Sequence, residues 1–463
     1  MLLWETLQTL SMRDLRDLDK CVRSPAFNQR EHVVRLWDFL RSQLASQEPP
    51  ALEKCFPAAF PETGRYDVAA LRNSMTLLLR VVEEFLILRA HREDPILYSI
   101  RLANIWRQTG LRRQSARTLK WLDEAQAGSL WRNAEYHLHQ WQIEEERYHF
   151  MAAEQRMERL NFPALSHNLD MFYLTEKLRQ ACFAISQTAI TGQQQDMGLL
   201  PEILEILKKG KYNEEPLVRI YYHCYQALTL QQEEYDFQAF KTLFLEHTTL
   251  FPPEERRQLF LLATNYCIRR LNSGEKQYIG EALRFYKAGL TDGVILVNGL
   301  MTRFTYGNIV TMAIGENELD WAEQFMLTYR DKLEAQHQNA TFSFHLARLE
   351  YERGRFDKAL PLLQNAEYSD LLINLMAKTL ALKIYYEQDE YDLLHAHLDA
   401  MRNFITRHKE LGYHRENYRN TLRFLRKLLQ LRPSDQKGRE VLQQKIVQTK
   451  AVAEKNWLLG LTA

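Results

Sequence analysis

Between Ala340 and Ala366 the chain reads ATFSFHLARLEYERGRFDKALPLLQNA. Small and apolar residues fall at Leu346, Ala347, Gly354, Phe356, Ala359, Leu363 and Ala366. Apolar positions three and four apart define one face of a helix, and a glycine between two such runs lets the chain reverse. Two antiparallel helices of this kind leave an apolar face that only a neighbouring copy can cover. Phe237, Ile279, Leu319, Phe356 and Tyr391 can be laid on the same position of the unit, separated by 42, 40, 37 and 35 residues. The clearest copies are NELDWAEQF at 317–325, GRFDKALPLL at 354–363 and DEYDLLHAHL at 389–398. The first two place Ala322 and Ala359 where the helices cross. The third has Leu394 there, which is expected to loosen the packing.

Composition points the same way. Only 17 of 463 residues are Gly and 13 are Pro, against an average of about 7% for Gly alone. Leu, Glu, Gln, Arg and Ala dominate, and runs of alternating Val, Ile and Thr are absent, which favours helix almost everywhere. A chain this long exceeds what a single core supports, so it is either several domains or one elongated array.

The order Leu-small, Gly, aromatic, Ala, Leu, Ala at Leu346 to Ala366 resembles a tetratricopeptide repeat. The resemblance is concentrated over about 300–400. Ser343 stands where the family has Trp and Glu350 where it has Tyr. It implies an all-α fold, an α-solenoid of antiparallel helical hairpins wound as a right-handed superhelix. Three regions are expected: an N-terminal helical segment over 1–94 with a Pro-rich loop at 46–64, degenerate repeats over 95–432, and a C-terminal capping helix over 433–463. In such arrays the first helix of each unit lines a concave groove that holds a partner peptide. Carried over by register, the groove positions are Thr341, Phe344, Arg348 and Tyr351 in one unit and Met376, Thr379, Lys383 and Tyr386 in the next. A basic row beside an aromatic row suits an acidic or carboxylate-bearing peptide. The Lys/Asn pattern by which some family members clamp chaperone C-termini is absent from these positions. The expected function is a non-enzymatic scaffold or adaptor that binds a protein or peptide in this groove.

Local signals fix several elements. Ser11 and Asp14 mark a helix start and Ser24-Pro25 its stop. Asn28 is expected to cap the next helix. A strongly apolar helix is expected over Tyr66–Arg92, and another opens at Pro95 and ends near Gly110. Leu130 to Leu160 lacks a breaker and reads as one long helix ended by Asn161-Phe162-Pro163. Ser434 is expected to cap a final helix running to about Leu459.

Other function classes find less support. The net charge of +1, from 60 basic and 59 acidic residues, argues against coating of nucleic acid or an anionic membrane by the whole molecule. Nucleic acid is therefore not the expected partner. The helix bearing Arg415, Arg419, Arg423, Arg426 and Lys427 reads as a solvated face opposite Tyr418, Leu422, Leu425 and Leu429, with contact to phosphate or an acidic partner as the alternative. Glu146/His149 and Glu334/His337 have the Glu-x-x-His spacing used in helical metal enzymes; two such pairs are close to chance, so no metal or cofactor is expected. No phosphate-binding glycine loop, nucleophile elbow or zinc-protease motif occurs, and no catalytic residue is assigned. Cys21, Cys55, Cys182, Cys224 and Cys267 form no C-x-x-C pair and read as buried hydrophobes in a reducing compartment. The N-terminal run MLLWETLQTLSMRDL carries Glu5 and no basic lead-in, so no signal peptide is expected. No window reaches the length of a membrane span, and the default location is cytoplasmic.

Overall fold

The computed structural model describes residues 2–46, 48–152, 160–193, 195–229, 234–364, 370–412, 414–432 and 434–462, with backbone only at 189–191. Among the described residues the chain is all-α, with no β-strand. It divides into two compact units, Met1–Arg179 and Gln180–Ala463.

The first unit holds α1 (Leu2–Gln8), α2 (Met12–Arg23), α3 (Glu31–Gln43), α4 (Leu52–Ala59), α5 (Val68–Glu93), α6 (Pro95–Gln108), α7 (Arg112–Ala127) and α8 (Ala134–Ala152); the unit boundary lies within α9 (Phe162–Thr191). α2 starts with a full capping box: the Ser11 hydroxyl accepts from the Asp14 amide, and the Asp14 carboxylate accepts from the Ser11 amide at 3.1 Å. The first five helices share one core around Trp4, Leu18, Val22, Trp37, Leu78 and Val82. Trp37 also donates from Nε1 to the Asp19 carboxylate at 2.8 Å, so its one polar atom is satisfied.

Four local expectations differ from what is seen here. The Pro-rich stretch at 46–64 contains α4, with Pro57 inside it; burial of Cys55, Phe56 and Ala59 on one face outweighs the hydrogen bond that Pro57 cannot make. Arg30, not Asn28, is the N-cap of α3, because the Asn28 side chain is used on the Val22 and Arg30 carbonyls. Phe162-Pro163 opens α9 rather than merely ending its predecessor, a first-turn position where proline's missing N–H costs nothing. The long helix expected over Leu130–Leu160 begins at Ala134, and residues 153–159 lie outside the described residues.

The second unit continues with α10 (Leu200–Lys208), α11 (Pro216–Thr229), α12 (Glu234–Glu246), α13 (Pro253–Asn272), α14 (Tyr278–Thr291), α15 (Arg303–Gly315), α16 (Leu319–Tyr329), α17 (Ala335–Glu352), α18 (Phe356–Gln364), α19 (Leu371–Glu387), α20 (Tyr391–Arg407), α21 (His414–Gln430), α22 (Gln436–Gln448) and α23 (Lys455–Thr462). Each helix from α11 to α20 pairs with its neighbour as a hairpin: α11 with α12, α13 with α14, α15 with α16, α17 with α18, α19 with α20. First helices also pack on first helices, α11 on α13, α15 on α17 and α17 on α19.

One turn closes most of these hairpins. Gly274, Asn317, Gly354 and Asp389 all have positive φ, of 103°, 59°, 70° and 56°, and each follows the first helix of a pair. The next residue's amide then reaches back to a carbonyl in the helix's last turn: Glu275 to Arg270 at 3.1 Å, Glu318 to Ala313 at 2.9 Å, Arg355 to Glu350 at 2.8 Å and Glu390 to Tyr385 at 2.9 Å. This is the Schellman closure, which satisfies carbonyls that the helix leaves over. Gly110 makes the same turn between α6 and α7, with Leu111 donating to Trp106 at 2.8 Å. The positions where second helices cross their partners, Ala282, Ala322, Ala359 and Leu394, are all fully buried, the leucine included.

The single C-terminal helix expected over 433–463 is a hairpin instead, and its cap is Asp435 rather than Ser434. Its break at 449–454 is held by α21. Asn420 donates to the Ala451 carbonyl at 2.8 Å, Thr421 to the Ala453 carbonyl at 2.6 Å, and the Ala453 amide to Asn417 at 3.3 Å. These bonds outweigh the helical preference of the AVAEK stretch.

The turn makes a direct prediction. A Cβ would meet nothing within 4 Å at either Gly354 or Gly64, but only Gly354 has positive φ. Gly354→Ala should destabilise the second unit by about 1 kcal/mol, whereas Gly64→Ala should leave stability unchanged. Urea unfolding of both variants checks this, and equal midpoints would contradict the role given to the turn.

Candidate functional site

Successive first helices bring equivalent residues together. The turn residues Asn317, Gly354 and Asp389 set the register, which aligns Thr311 on α15, Arg348 on α17 and Lys383 on α19. The Arg348 guanidinium donates to Thr311 Oγ1 at 2.7 Å. Lys383 Nζ lies 4.9 Å from the centre of the Tyr351 ring. The basic row and aromatic row expected from the sequence are thus contiguous, and they interlock.

They are also covered. Lys383 pairs with Glu454 at 3.1 Å and lies 5.7 Å from the centre of the Trp457 ring. Trp457 meets Tyr386 edge-on at 5.8 Å and donates to Glu387 at 3.4 Å. Burial lowers the Arg348 pKa, and the nearby Glu454 carboxylate opposes that shift. Burial likewise raises the Tyr351 and Tyr386 hydroxyls above the usual phenol range. Glu454 itself takes φ 52°, a conformation that costs a non-glycine residue about 1–2 kcal/mol. A carboxylate and an indole from the chain's own C-terminal segment therefore occupy the cationic and aromatic end of this face.

The other positions assigned to the groove behave differently. Thr341, Phe344 and Thr379 are buried. Phe344 belongs to a core cluster with Ala347, Ala359, Leu363, Ala377 and Ile384, and half-buried Met376 packs at its edge. The Thr379 hydroxyl is spent on the Leu375 carbonyl at 2.7 Å. Phe344 on α17 thus faces the seam with α18 and α19. The open surface at the same register lies one unit earlier, at Phe304, which is 66% exposed.

Sequence reasoning missed His345. It is buried beside Tyr306, with ring centroids 5.9 Å apart, and its Nδ1 has no hydrogen-bond partner. Gly307 allows its approach, since a Cβ there would come within 2.8 Å of His345 Nε2. Thr341 Oγ1, one turn away, is also buried without a partner. The equivalent of His345 in the next unit is the buried Leu380, so the apolar pattern alone marks this as a core position.

One member of each Glu-x-x-His pair has another partner. Glu146 is engaged by Asn104 at 2.6 Å and Arg107 at 2.8 Å. His337 lies 3.9 Å from Glu334 but has the Arg303 guanidinium 3.1 Å from its ring nitrogens, a cation where a metal would have to approach. Among the described residues no three His, Cys, Asp or Glu side chains are grouped as a metal would need. All five cysteines are free thiols; Cys55, Cys182, Cys224 and Cys267 are buried and Cys21 is partly exposed. No described helix is long and apolar enough to cross a membrane.

No protein-family model, curated protein or solved structure matches this chain.

Burial pushes the His345 pKa down to about 3, against about 6.5 in an unfolded chain. Between those values the unfolded state holds the extra proton. Stability is therefore lost as pH falls below about 6.5, at up to about 1.4 kcal/mol per unit. His345→Leu should flatten this loss. Urea midpoints compared between about pH 7 and 5, above the ordinary carboxylate range, measure it, and an unchanged slope would rule out His345 as the source.

Proposed function

We propose that this chain is a non-enzymatic scaffold whose second unit is a tetratricopeptide-like solenoid of helical hairpins. It binds a protein partner across the face formed by its first helices. The partner presents a carboxylate next to an aromatic ring, and the cytoplasm is its setting. One observation carries the reading: Arg348, Tyr351, Lys383 and Tyr386 form one patch, and the segment lying on it offers Glu454 and Trp457. A face that holds a carboxylate and a ring in cis has the chemistry to hold them in trans. Arg348 and Lys383 supply charge-assisted bonds, and the tyrosines supply flat apolar area. The exposed Phe304 extends the same line by one unit.

The repeated turn supports the solenoid part of the reading, because identical closures fix similar hairpin angles and let units stack. The scaffold part rests on the same geometry. Polar side chains buried in the core, such as Glu350 and Glu255, are tied to structural partners: Glu350 to Arg353 at 3.1 Å, Glu255 to Tyr221 at 2.6 Å. Both serve packing.

The test compares two variants in affinity purification from the native host with quantitative mass spectrometry. A partner recovered by the wild-type chain should be lost from Arg348→Ala/Tyr351→Ala/Lys383→Ala/Tyr386→Ala. It should be enriched several-fold by Glu454→Ala/Trp457→Ala, which uncovers the patch. Equal recovery by all three proteins, each with the helical circular dichroism of the wild type, would overturn the assignment of this face.

A further inference from the structure

A second charged surface lies on the opposite side of the C-terminal hairpin's anchor helix. Over 402–432 the chain carries nine basic residues (Arg402, Arg407, Lys409, Arg415, Arg419, Arg423, Arg426, Lys427 and Arg432) against Glu410 and Glu416. In a chain whose total charge is +1, this is a strong local segregation. α20 and α21 bring five of these cations, Arg402, Arg419, Arg423, Arg426 and Lys427, around a concavity of about 440 Å³ floored by Leu422.

The cations are not equally engaged. Asp399 sits at the rim and pairs with Arg426, and with Arg402 at 3.5 Å. Arg419, Arg423 and Lys427 are exposed and make no ion pair among the described residues. Arg423 has only the ring of its neighbour Phe424 beneath it, 4.8 Å away. Arg415, which shares the ridge in sequence, is removed from it in space. Its guanidinium donates to the Ile405 and Thr406 carbonyls at 3.2 and 3.4 Å and so fastens α21 to the end of α20. The groove is thus tied at one end and carries its charge along its length.

We propose that this groove binds the phosphodiester backbone of nucleic acid without regard to sequence. Arg419, Arg423 and Lys427 follow one another at i, i+4 and i+8, so their bases rise in steps of about 6 Å along the helix. That spacing offers one cation to each of several successive phosphates. Arginine dominates, and its planar fork matches phosphate oxygens in pairs. The lining has no exposed ring on which a base would stack and no carboxamide to read a base edge, so recognition stops at the backbone. Among the described residues lining this concavity, five of the seven are arginine or lysine, beside Thr406 and Leu422.

The test is fluorescence anisotropy of the full chain with labelled single-stranded DNA, RNA and duplex DNA, from about 50 to 200 mM salt. Binding should weaken linearly in log–log form as salt rises. Arg419→Ala/Arg423→Ala/Lys427→Ala should lose at least tenfold in affinity at the lowest salt and reduce the slope by about 2 to 3, since each phosphate contact contributes about 0.7 to 0.9. Arg113→Ala/Arg117→Ala, exposed cations on α7, should bind as the wild type does. Absence of binding at low salt, or a triple variant with an unchanged slope, overturns the proposal. So does polyglutamate competing as well as nucleic acid at equal charge, because the groove would then be a site for acidic polypeptide.

Discussion

The four hairpins from α13 to α20 depend on how the first helix of each pair ends. A residue in the left-handed region lets the following amide bond back five residues, and that single bond fixes where the second helix begins. Gly274, Asn317, Gly354 and Asp389 do this at separations of 43, 37 and 35 residues. Because the closure is the same each time, the residues four to eight positions before it face the same way in successive units. Thr311, Arg348 and Lys383 align for that reason. Two of the four turns use Asn and Asp, the non-glycine residues that tolerate this conformation best because their short side chains bond locally.

This explains what could be read from the chain and what could not. Helix content, the hairpin rhythm and the aromatic start of the later units were legible because they are local: propensity, period and glycine punctuation act within a few residues. Phe356, Leu319 and Tyr391 are each the first residue of a second helix. The Asn317 and Asp389 turns are harder to read, because Asn and Asp serve as well in loops and caps as at a positive φ. Leu394, where the other units have alanine, is fully buried.

The candidate site was legible only by register. Placing Arg348 with Lys383 and Tyr351 with Tyr386 needed nothing beyond the repeat length. Which of the eight assigned positions reach the surface depends on how the helices pack on one another, and Thr341, Phe344 and Thr379 are buried there. Glu454 lies 71 residues from Lys383. Nothing local marks it, since its approach is set by Asn417, Asn420 and Thr421 on a different helix. A long-range hydrogen-bonded strap of this kind leaves no period or motif behind.

The two charged surfaces of the C-terminal region differ in how their charge is met, and that difference separates what each can bind. On α19, Lys383 already has a carboxylate and two rings around it, so an incoming group must replace contacts of similar kind, and net affinity is the difference between two matched sets. On α21, Arg419, Arg423 and Lys427 are exposed and have no carboxylate partner among the described residues, with only the Phe424 ring beside Arg423. A polyanion arriving there displaces ions rather than protein groups, so its binding is driven by counterion release and falls steeply with salt. The same charge type is therefore met by protein groups on α19 and left exposed on α21. The sorting is done by Glu454 and the strap that carries it.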